Sequence, residues 1–346
     1  MKILTIVIPS YNVEKTLPDT LRSVCIEPIR ERLDILVVDD GSTDGTAALA
    51  DDFARQYPDI IRVIHKPNGG HGSAVNTGIE AAQGRYLKVV DGDDRLEAAG
   101  LLALVECLGR TDVDLVAADY RKVPVDDSPT QDMRFEGVEP GRVYRFDEIP
   151  AASHVYFGIH SLTIRTEILQ SHDIRLQEHT FYVDVEFGLL PIPYVGTVEF
   201  LGQTVYLYMV GRAEQSIAAE NFVCRYADHE RVVRRMTEFA GTCETDTAHH
   251  AYMDSVLCKL YFTQYMLAAF YDSDIPRGKT RAREFDSWLR DNNPRLYARM
   301  GTSLYIRVLR ATGFHFLPRG RALKTAVRRV YSLFKPLTHR RRRFTY

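Results

Sequence analysis

Residues 85–95, RYLKVVDGDDR, read as a buried strand that runs directly into three carboxylates. The strand covers residues 86–90, and Asp91, Asp93 and Asp94 follow it within four positions. No basic residue separates these like charges, so the cluster is stable only if it faces water or holds a cation. Hard divalent cations such as Mg²⁺ and Mn²⁺ prefer carboxylate oxygens as ligands. The stretch therefore predicts either a solvated acidic turn or a metal site.

Three more apolar, β-branched runs precede this strand, and helical spacing separates them. Such continuous apolar runs are typical of strands that are buried on both faces of a sheet. The alternation of strands and helices predicts a doubly wound α/β unit with a mostly parallel sheet. The predicted order is strand 3–9, helix 14–23, strand 34–38, helix 46–57, strand 60–64, a helix ending at Ala82, and strand 86–90.

Each of these strands ends in a polar loop. The loops carry Tyr11, the pair Asp39 and Asp40, the glycine loop 69–72 and the carboxylate cluster. In doubly wound sheets the loops at the carboxyl ends of the strands meet in one crevice, where ligands bind. This convergence favours a metal site over a solvated turn.

The ligand expected in this crevice is a nucleoside diphosphate. The first strand is not followed by GxGxxG, and the sequence has no GxxxxGK[ST], so the dinucleotide and P-loop motifs are absent. Asp39 can accept a hydrogen bond from a base N–H or a ribose hydroxyl, and Tyr11 can stack on a flat ring. A cation at the carboxylates would assist the departure of a diphosphate.

The crevice loops also carry a family resemblance, because four motifs occur in order within roughly the first 100 residues. They resemble the successive motifs of family 2 glycosyltransferases. The resemblance implies a GT-A fold and an inverting enzyme that uses Mn²⁺ or Mg²⁺ and a nucleotide-sugar donor, with UDP expected from the family. The motifs are residues 6–12 (IVIPSYN), 37–44 (VVDDGSTD), 68–70 (NGG) with 76–78 (NTG), and 91–94 (DGDD).

The resemblance also assigns roles within these motifs. It places the base of the donor on Asp39 and the nucleoside near Asp40. It places the divalent ion and the donor diphosphate on Asp91 and Asp93, with Asp93 favoured as the direct metal ligand. Asp94 is interpreted either as an outer neighbour of the ion or as a helix cap. The other predicted donor contacts are Pro9, Tyr11, Asn68, Gly69 and Gly70.

A second acid-bearing stretch, residues 181–187 (FYVDVEF), sets two carboxylates among large apolar side chains. Apolar surroundings raise the pKa of a carboxyl group, which suits a general base. In similar family 2 enzymes the base is an Asp at the start of this helix, usually within a Glu-Asp pair. Asp184 matches that Asp, although Val183 leaves the pair incomplete, and Glu186 is the reserve candidate. The alternative is that Asp184 only caps the helix.

Arg212 opens a segment, RAEQS, that resembles the Arg-x-x-Gln-Ser loop of some relatives. It is predicted to contact the donor diphosphate by paired hydrogen bonds, with a surface turn as the alternative. Two histidines in the strand-like stretch 153–164, His154 and His160, are interpreted as structural rather than substrate-binding.

The sequence predicts three regions: a GT-A catalytic domain over residues 1–220, a helical accessory region over 221–302, and a basic amphipathic tail over 303–346. Residues 121–141 are polar and contain prolines, and residues 126–129 (DDSP) within them predict a surface loop. Residues 251–271 are strongly apolar and predict a buried helix of the accessory region, with a helix lying on a membrane as the alternative.

Charge is unevenly distributed along the chain. Beyond Asp291 there are 14 Lys or Arg residues and no acid. Because the whole chain has a net charge of −2, the first 291 residues carry −16. Basic residues mixed with aromatics suit an anionic membrane surface. RNA, or the acidic body of the protein itself, are the alternative partners. Removal of residues 303–346 is expected to release the protein from membranes.

The remaining bulk features predict a cytoplasmic protein held peripherally at the inner face of the cell membrane. The amino terminus lacks the layout of a signal peptide, and no stretch of about 18 uncharged apolar residues occurs. The five cysteines are an odd number and lack metal-type spacing, which indicates a reducing compartment.

The leading hypothesis is a glycosyltransferase that acts on a glycan or lipid-linked acceptor in cell-surface polysaccharide synthesis. A nucleotidyltransferase on a similar sheet would need a glycine-rich loop with Lys or Arg after the first strand, where the sequence has PSYN at residues 9–12. A non-catalytic module that binds membrane or nucleic acid would leave the acid-bearing loops without a purpose.

Overall fold

The computed structural model describes residues 2–126, 128–153, 155–211 and 219–314, apart from the side chains of residues 152, 219 and 220. The chain divides by contacts into two compact units, Met1–Leu260 and Tyr261–Tyr346. The functional regions predicted from the sequence, with boundaries at 220 and 302, stay a prediction.

The first unit is built on one sheet of ten strands. The strands are β1 (Leu4–Ser10), β2 (Leu33–Asp39), β3 (Ile61–His65), β4 (Tyr86–Val89), β5 (Arg95–Leu96), β6 (Leu115–Pro124), β7 (Gln131–Met133), β8 (Val143–Arg145), β9 (Leu162–Arg165) and β10 (Thr197–Val210). Their order is β3-β2-β1-β4-β9-β6-β10-β5, with β7 beside β6 and β8 beside β10.

The sheet is mostly parallel in its first half and mixed in its second. Strands β3, β2, β1 and β4 are parallel neighbours. Strand β9 is antiparallel to both β4 and β6, so β4 and β6 point the same way. Strand β10 then runs parallel to β6. The predicted fold class is confirmed, and the loops that follow β1, β2, β3 and β4 lie at one edge.

Helices cover the sheet and continue towards the carboxyl terminus, as the sequence predicts from residue 221 onward. The helices are α1 (Leu17–Val24), α2 (Thr46–Gln56), α3 (His71–Ala81), α4 (Ala98–Arg110), α5 (Thr166–Ser171), α6 (Asp184–Leu189), α7 (Ala219–Cys224), α8 (Tyr226–Thr242), α9 (Thr247–Met266), α10 (Ile275–Asn292), α11 (Pro294–Met300) and α12 (Leu304–Ala311). A π-helical turn, Leu267–Tyr271, follows α9.

One stretch between the motifs differs from its prediction. Among the described residues of the strand-like stretch 153–164, only the last three belong to a strand, β9. The preceding residues turn instead, because the Ser161 N–H and hydroxyl both donate to the Gly158 carbonyl. Within the polar stretch 121–141, the end of β6 pairs with β7. The described residues of the predicted surface loop, 126, 128 and 129, are exposed and lie between these two strands, in agreement with the prediction.

The core lies on both faces of the central strands. Every residue of β1 and β2 is buried. Complete burial of an Ile or Leu side chain contributes roughly 1.5–3 kcal/mol, so these strands supply much of the stability of the unit. Helix α3 approaches β1 closely at Gly78, where a Cβ would lie 2.2 Å from Val7 Cγ1. This close approach fixes the glycine loop that precedes α3.

The described part of the second unit, residues 261–314, has a small core of its own. Tyr265 is fully buried and packs edge-on against Phe285, with ring centroids 5.1 Å apart. Asp286 accepts hydrogen bonds from the Tyr265 hydroxyl at 2.6 Å and from Arg310 Nε at 2.7 Å. The apolar stretch 251–271 is thus largely buried, as the first of its two interpretations predicts. None of the helices among the described residues has the length and apolar character needed to cross a membrane.

Candidate active site

Asp39, the predicted base-binding acid, is the last residue of β2 and is 4% exposed. One carboxylate oxygen accepts the Ser42 N–H at 3.1 Å, and the other lies 3.0 Å from His65 Nδ1. Burial by itself would raise the pKa of Asp39, but the hydrogen bonds from Ser42 and His65 outweigh it and lower that pKa. Asp39 is therefore held as an anion at the mouth of the crevice.

Asp40 anchors the glycine loop. Its Oδ1 accepts hydrogen bonds from Lys66 Nζ at 2.8 Å and from the Gly69 N–H at 2.9 Å, while Oδ2 accepts the Gly70 N–H at 2.7 Å. Asn68 completes the link by donating to the Asp40 carbonyl at 2.9 Å. This carboxylate thus sets the shape of the loop, and its predicted role near the nucleoside stays a prediction.

Pro9 and Tyr11 lie at the end of β1. Pro9 is buried and pairs in register with Val38 of β2. Tyr11 is 49% exposed, so its ring is available to a ligand, as stacking on a nucleoside base requires. The structure brings both residues to the same strand ends as Asp39.

Beyond β4, three side chains are arranged as a cation site requires. Asp91, Asp94 and His160 each offer a ligand atom, and these atoms lie within 4.8 Å of one another. Oxygens from two carboxylates and one imidazole nitrogen suit a divalent cation such as Mn²⁺. Burial lowers the pKa of His160 to about 4, which keeps its ring neutral and able to coordinate. Asp93, the predicted direct ligand, is half-buried and lies outside this group of three.

Asp94 is the buried member of the group, at 1% exposed. It accepts hydrogen bonds from the Tyr206 hydroxyl and the Met209 N–H, both at 2.7 Å. Burial, reinforced by the charges of Asp91 and Asp93, raises the pKa of Asp94 well above its ordinary value. A neighbouring cation would offset that repulsion. Helix α4 begins only at Ala98, so the interpretation of Asp94 as a helix cap is wrong.

His71 joins the cation site to the predicted base. Its Nε2 lies 2.9 Å from Asp91 Oδ1. Burial by itself would lower the pKa of His71, but the hydrogen bond to Asp91 raises it. The charges of Asp184 and Asp93 act in the same direction. The imidazole therefore lies within electrostatic reach of three carboxylates that come from two distant parts of the sequence.

Asp184 is the first residue of α6 and is half-buried. Burial raises the pKa of this carboxyl group, and the charge of Asp91 adds to that effect. The residue at the N-cap position is Val183, one position earlier. Asp184 is thus a carboxyl group of raised pKa that lies within electrostatic reach of His71 and Asp91.

A comparison with protein families agrees with this geometry. Residues 5–169, which include the donor loops and the carboxylate cluster, match the family model "Glycosyl transferase family 2". Residues 5–169, just under half of the chain, thus form a glycosyl transferase family 2 domain. Asp184 and everything after it lie beyond the matched residues.

Two curated relatives show the range of this family. The "Uncharacterized glycosyltransferase EpsJ" of Bacillus subtilis (strain 168) is 29% identical over 215 residues, 60% of this chain and 60% of its own length. The "Teichoic acid poly(glycerol phosphate) polymerase" of Staphylococcus epidermidis is 29% identical over 202 residues, 56% of this chain and 26% of its own. The chain thus spans no more than three-fifths of either relative.

Solved structures share the fold over most of the chain. The S. aureus TarS fragment 1-349, crystallised with UDP-GlcNAc, has a TM-score of 0.66 at 18% identity and covers 91% of this chain and 88% of its own. The mannosyltransferase PcManGT from Pyrobaculum calidifontis, in complex with GDP-Man and Mn²⁺, has a TM-score of 0.56 at 14% identity. It covers 96% of this chain and 85% of its own. At these identities the similarity shows the fold alone.

Glu186, the reserve candidate for the base, lies in a different environment from Asp184. It is fully buried, and its oxygens accept hydrogen bonds from the Gln177 N–H at 2.8 Å and Nε2 at 2.5 Å. Arg235 of α8 donates to the same carboxylate at 2.6 Å. With both oxygens engaged, Glu186 connects α6 to α8, whereas Asp184 is the acid in reach of the cation site.

Sequence reasoning missed three residues of this family 2 site. His71 stands inside the glycine loop, where the run NGGHG was a signal that could have found it. His160 was interpreted as structural, and Tyr206 carries no local signal because it reaches the cluster from β10. The predictions for Arg212 and His154 lie outside the described residues.

Proposed function

We propose that the protein is an inverting, metal-dependent glycosyltransferase that uses a nucleotide-sugar donor, with UDP as the expected nucleotide. The acceptor is a hydroxyl group of a glycan or lipid-linked glycan in cell-surface polysaccharide synthesis. One observation carries the proposal: Asp91, Asp94 and His160 offer ligand atoms within 4.8 Å of one another, next to the strand ends that carry Asp39. Membership of family 2 and the teichoic acid relative support the reaction class.

The reaction is a single displacement at the anomeric carbon. Asp184 accepts the proton of the acceptor hydroxyl, and the acceptor oxygen bonds to the anomeric carbon from the face opposite the diphosphate. The bond between that carbon and the phosphate oxygen breaks, and its electron pair leaves with the diphosphate. Burial raises the pKa of Asp184, which makes it a stronger base than an exposed aspartate.

The leaving group needs positive charge close to the diphosphate. Asp91, Asp94 and His160 have the geometry to hold a divalent cation, and Asp93 is the further ligand predicted from the sequence. When bound, such a cation neutralises charge that develops on the departing diphosphate. Asp39 and Tyr11 orient the nucleoside at the other end of the crevice, by a hydrogen bond to the base and by stacking.

Titration of UDP against the protein, with Mn²⁺ and with excess EDTA, tests this proposal. We expect saturable UDP binding that weakens strongly in EDTA, because the cation bridges the diphosphate to the carboxylates. Asp39→Asn should weaken UDP binding in both conditions, whereas Asp93→Asn should weaken it only with Mn²⁺ present. Glu106→Gln, an exposed acid on α4, is the matched control.

Donor hydrolysis completes the test. A screen of UDP-, GDP- and dTDP-sugars with Mn²⁺ present should identify one hydrolysed donor. Full hydrolysis in excess EDTA would contradict metal dependence. The absence of binding and hydrolysis for every nucleotide sugar would contradict the proposed function as a whole.

We further propose that the protein works as a peripheral protein at the cytoplasmic face of the membrane. The carboxyl-terminal region without acids supports this location, since basic residues are attracted to anionic lipids. Helix α12 adds an exposed apolar face, with Leu304 at 71% and Val308 at 38% exposure on either side of exposed Arg307. This combination of apolar and basic side chains is typical of helices that bind at a membrane interface.

A further inference from the structure

The loop that leads to Asp184 has a strained backbone. His179 and Tyr182 both adopt left-handed conformations, with φ of 47° and 68°, although neither is glycine. Residues other than glycine rarely adopt such conformations, and those that do concentrate at functional sites. The His179 N–H donates to the Gly69 carbonyl at 2.6 Å, and the Tyr182 ring stacks on Phe222 at 4.3 Å. These contacts hold the loop in its strained form.

The strained loop presents one aromatic ring to solvent. Phe181 lies between His179 and Tyr182 and is 43% exposed. Val183, two residues later, is only 2% exposed. This partly exposed ring lies three residues before the predicted base. A flat apolar face next to the base suits the ring of an acceptor sugar or the carbon chain of a polyol.

The guanidinium group of Arg225 covers that ring, 3.4 Å from its centroid. Three other arginines of the same segment are paired: Arg231 with Asp228, Arg234 with Glu230, and Arg235 with Glu186. Arg225 forms no ion pair with any carboxylate in the part of the chain that the structure describes. Stacking uses the flat face of a guanidinium and leaves the N–H groups of its edge available.

Arg225 also lies near the reacting end of the crevice. Burial raises the pKa of the Tyr182 hydroxyl to about 12; the charge of Arg225 lowers that pKa and the charge of Asp184 raises it. Both charges therefore lie within electrostatic reach of one hydroxyl. Arg225, which lies between α7 and α8, thus contacts the loop that leads to the predicted base.

We propose that Phe181 and Arg225 form an acceptor subsite that binds a phosphate group of the acceptor. This inference rests on the proposed glycosyltransferase function and names the chemical class of its acceptor. The guanidinium edge donates paired hydrogen bonds to phosphate oxygens, the arrangement that makes arginine the preferred partner of phosphate. The phenyl ring packs against the adjoining sugar or polyol carbons. The phosphate is either a diester within a polymer or the diphosphate of a lipid-linked glycan.

Direct binding measurements test the subsite. Three probes are titrated calorimetrically into the full chain with UDP and Mn²⁺ present: a short poly(glycerol phosphate) oligomer, a water-soluble short-chain prenyl diphosphate sugar, and uncharged maltotriose. We expect one of the two phosphate probes to bind more tightly than maltotriose, and the identity of that probe gives the source of the phosphate.

Variants then assign the binding to these residues. Arg225→Gln should weaken binding of the preferred probe by about 10-fold or more, because it removes paired hydrogen bonds to a charged group. Arg225→Lys keeps the charge but not the planar fork and should fall between. Phe181→Leu should weaken binding without changing its dependence on salt. Arg55→Gln, which removes an exposed arginine paired with Asp52 on α2, is the charge-matched control.

Measuring UDP binding in the same variants distinguishes a failure of the proposed subsite from a failure of the proposed function. Wild-type UDP binding together with equal affinities of wild type and Arg225→Gln for both phosphate probes would overturn the subsite alone. So would phosphate probes that bind no better than maltotriose. A loss of UDP binding in Arg225→Gln would assign this arginine to the donor instead. Failure of the wild type to bind any nucleotide would overturn the proposed function itself.

Discussion

Asp184 is a carboxylate whose surroundings fit it for proton transfer. It is half-buried at the start of α6, and burial raises its pKa above the ordinary 3.8. The charge of His71 lowers the pKa of Asp184 and so partly offsets the effect of burial. Glu186, only two residues later, is fully buried and forms an ion pair with Arg235. The different surroundings of the two carboxylates therefore favour Asp184 over Glu186 as the base.

Replacement of the predicted base tests this difference at the level of one residue. Asp184→Asn should lower kcat by roughly 10²- to 10⁴-fold, because an amide cannot accept the proton of the acceptor hydroxyl. UDP binding should stay unchanged. Glu106→Gln should keep wild-type kcat, and a kcat near wild type in Asp184→Asn would exclude this residue as the base.

The pH dependence of kcat/KM is a second test of Asp184 as the base. The base acts in its ionised form, so kcat/KM should rise with pH through the pKa of Asp184. Because burial raises that pKa, the acidic limb of the profile should lie above pH 3.8. A rate that stays flat down to pH 4 would contradict the assignment.

At the scale of secondary structure elements, α6 is held by α8 through one buried ion pair. Glu186 accepts Arg235 Nη1 at 2.6 Å, and Arg235 Nη2 donates to the Arg175 carbonyl at 2.7 Å. The Arg235 side chain is 34% exposed, whereas Glu186 is completely enclosed. Removal of the arginine would therefore leave a buried charge without its partner.

A double-mutant cycle measures this link between the helices. Arg235→Met should lower the free energy of unfolding by about 2–3 kcal/mol, since it leaves the buried Glu186 carboxyl group without its ion-pair partner. Glu186→Gln should cost less, and the double variant should be more stable than Arg235→Met alone. Urea titrations of all four proteins give the coupling. Strictly additive losses would show that the pair contributes no coupling.

The glycine loop and the segment before Asp184 are also in direct contact. A Cβ on Gly72 would lie 2.2 Å from the Gln177 carbonyl oxygen, so only glycine fits there. Asn76 adds a reciprocal pair of hydrogen bonds with the backbone of Leu176, at 2.9 and 2.8 Å. This contact sets the distance between the cation side and the base side of the crevice.

A pair of glycine substitutions tests this contact. Gly72→Ala should destabilise the protein by about 1–3 kcal/mol, because backbone must move to admit the methyl group. It should also lower kcat as the two sides separate. Gly109→Ala on α4, where the nearest atom would lie 3.8 Å away, should be neutral or stabilising by about 0.4–1 kcal/mol. Thermal unfolding and kcat are measured for both, and equal behaviour would contradict the role of Gly72.

For the molecule as a whole, charge is the dominant asymmetry. The first 291 residues carry −16, and all charges beyond Asp291 are positive. The predicted deletion of residues 303–346 would cut into structure, since Ile306 and Leu309 of α12 are buried. Phe314 is buried as well, so a deletion that begins at residue 315 spares this core. It still removes ten Lys or Arg residues.

Deletion of residues 315–346 should therefore preserve folding and UDP binding but weaken association with anionic vesicles. Each basic residue near such a surface contributes about 1 kcal/mol, and salt screens the attraction. Cosedimentation with vesicles containing phosphatidylserine, and with neutral phosphatidylcholine vesicles as control, measures the effect. Equal cosedimentation of the two proteins would assign membrane binding elsewhere or exclude it.

The sequence by itself determined the fold class and the order of the motifs. Apolar β-branched runs can be buried only as central strands, and the loops after them must meet at one edge of a parallel sheet. That reasoning was enough to bring Tyr11, Asp39 and Asp91 to one crevice. The reasoning used only short patterns: apolar runs that indicate strands, helical spacing of apolar residues, and the polar loops between them. Such patterns can be read from neighbouring residues of the sequence.

Only the tertiary structure decided which partner each polar side chain has. Arg235 pairs with Glu186 across 49 residues, and Tyr206 reaches Asp94 across 112. His160 joins the cation site through the turn before β9, where the pattern had predicted a strand. Such contacts follow from how the elements pack, and no local periodicity encodes them, because a side chain of given type is equally compatible with solvent, core or site until its neighbours are fixed.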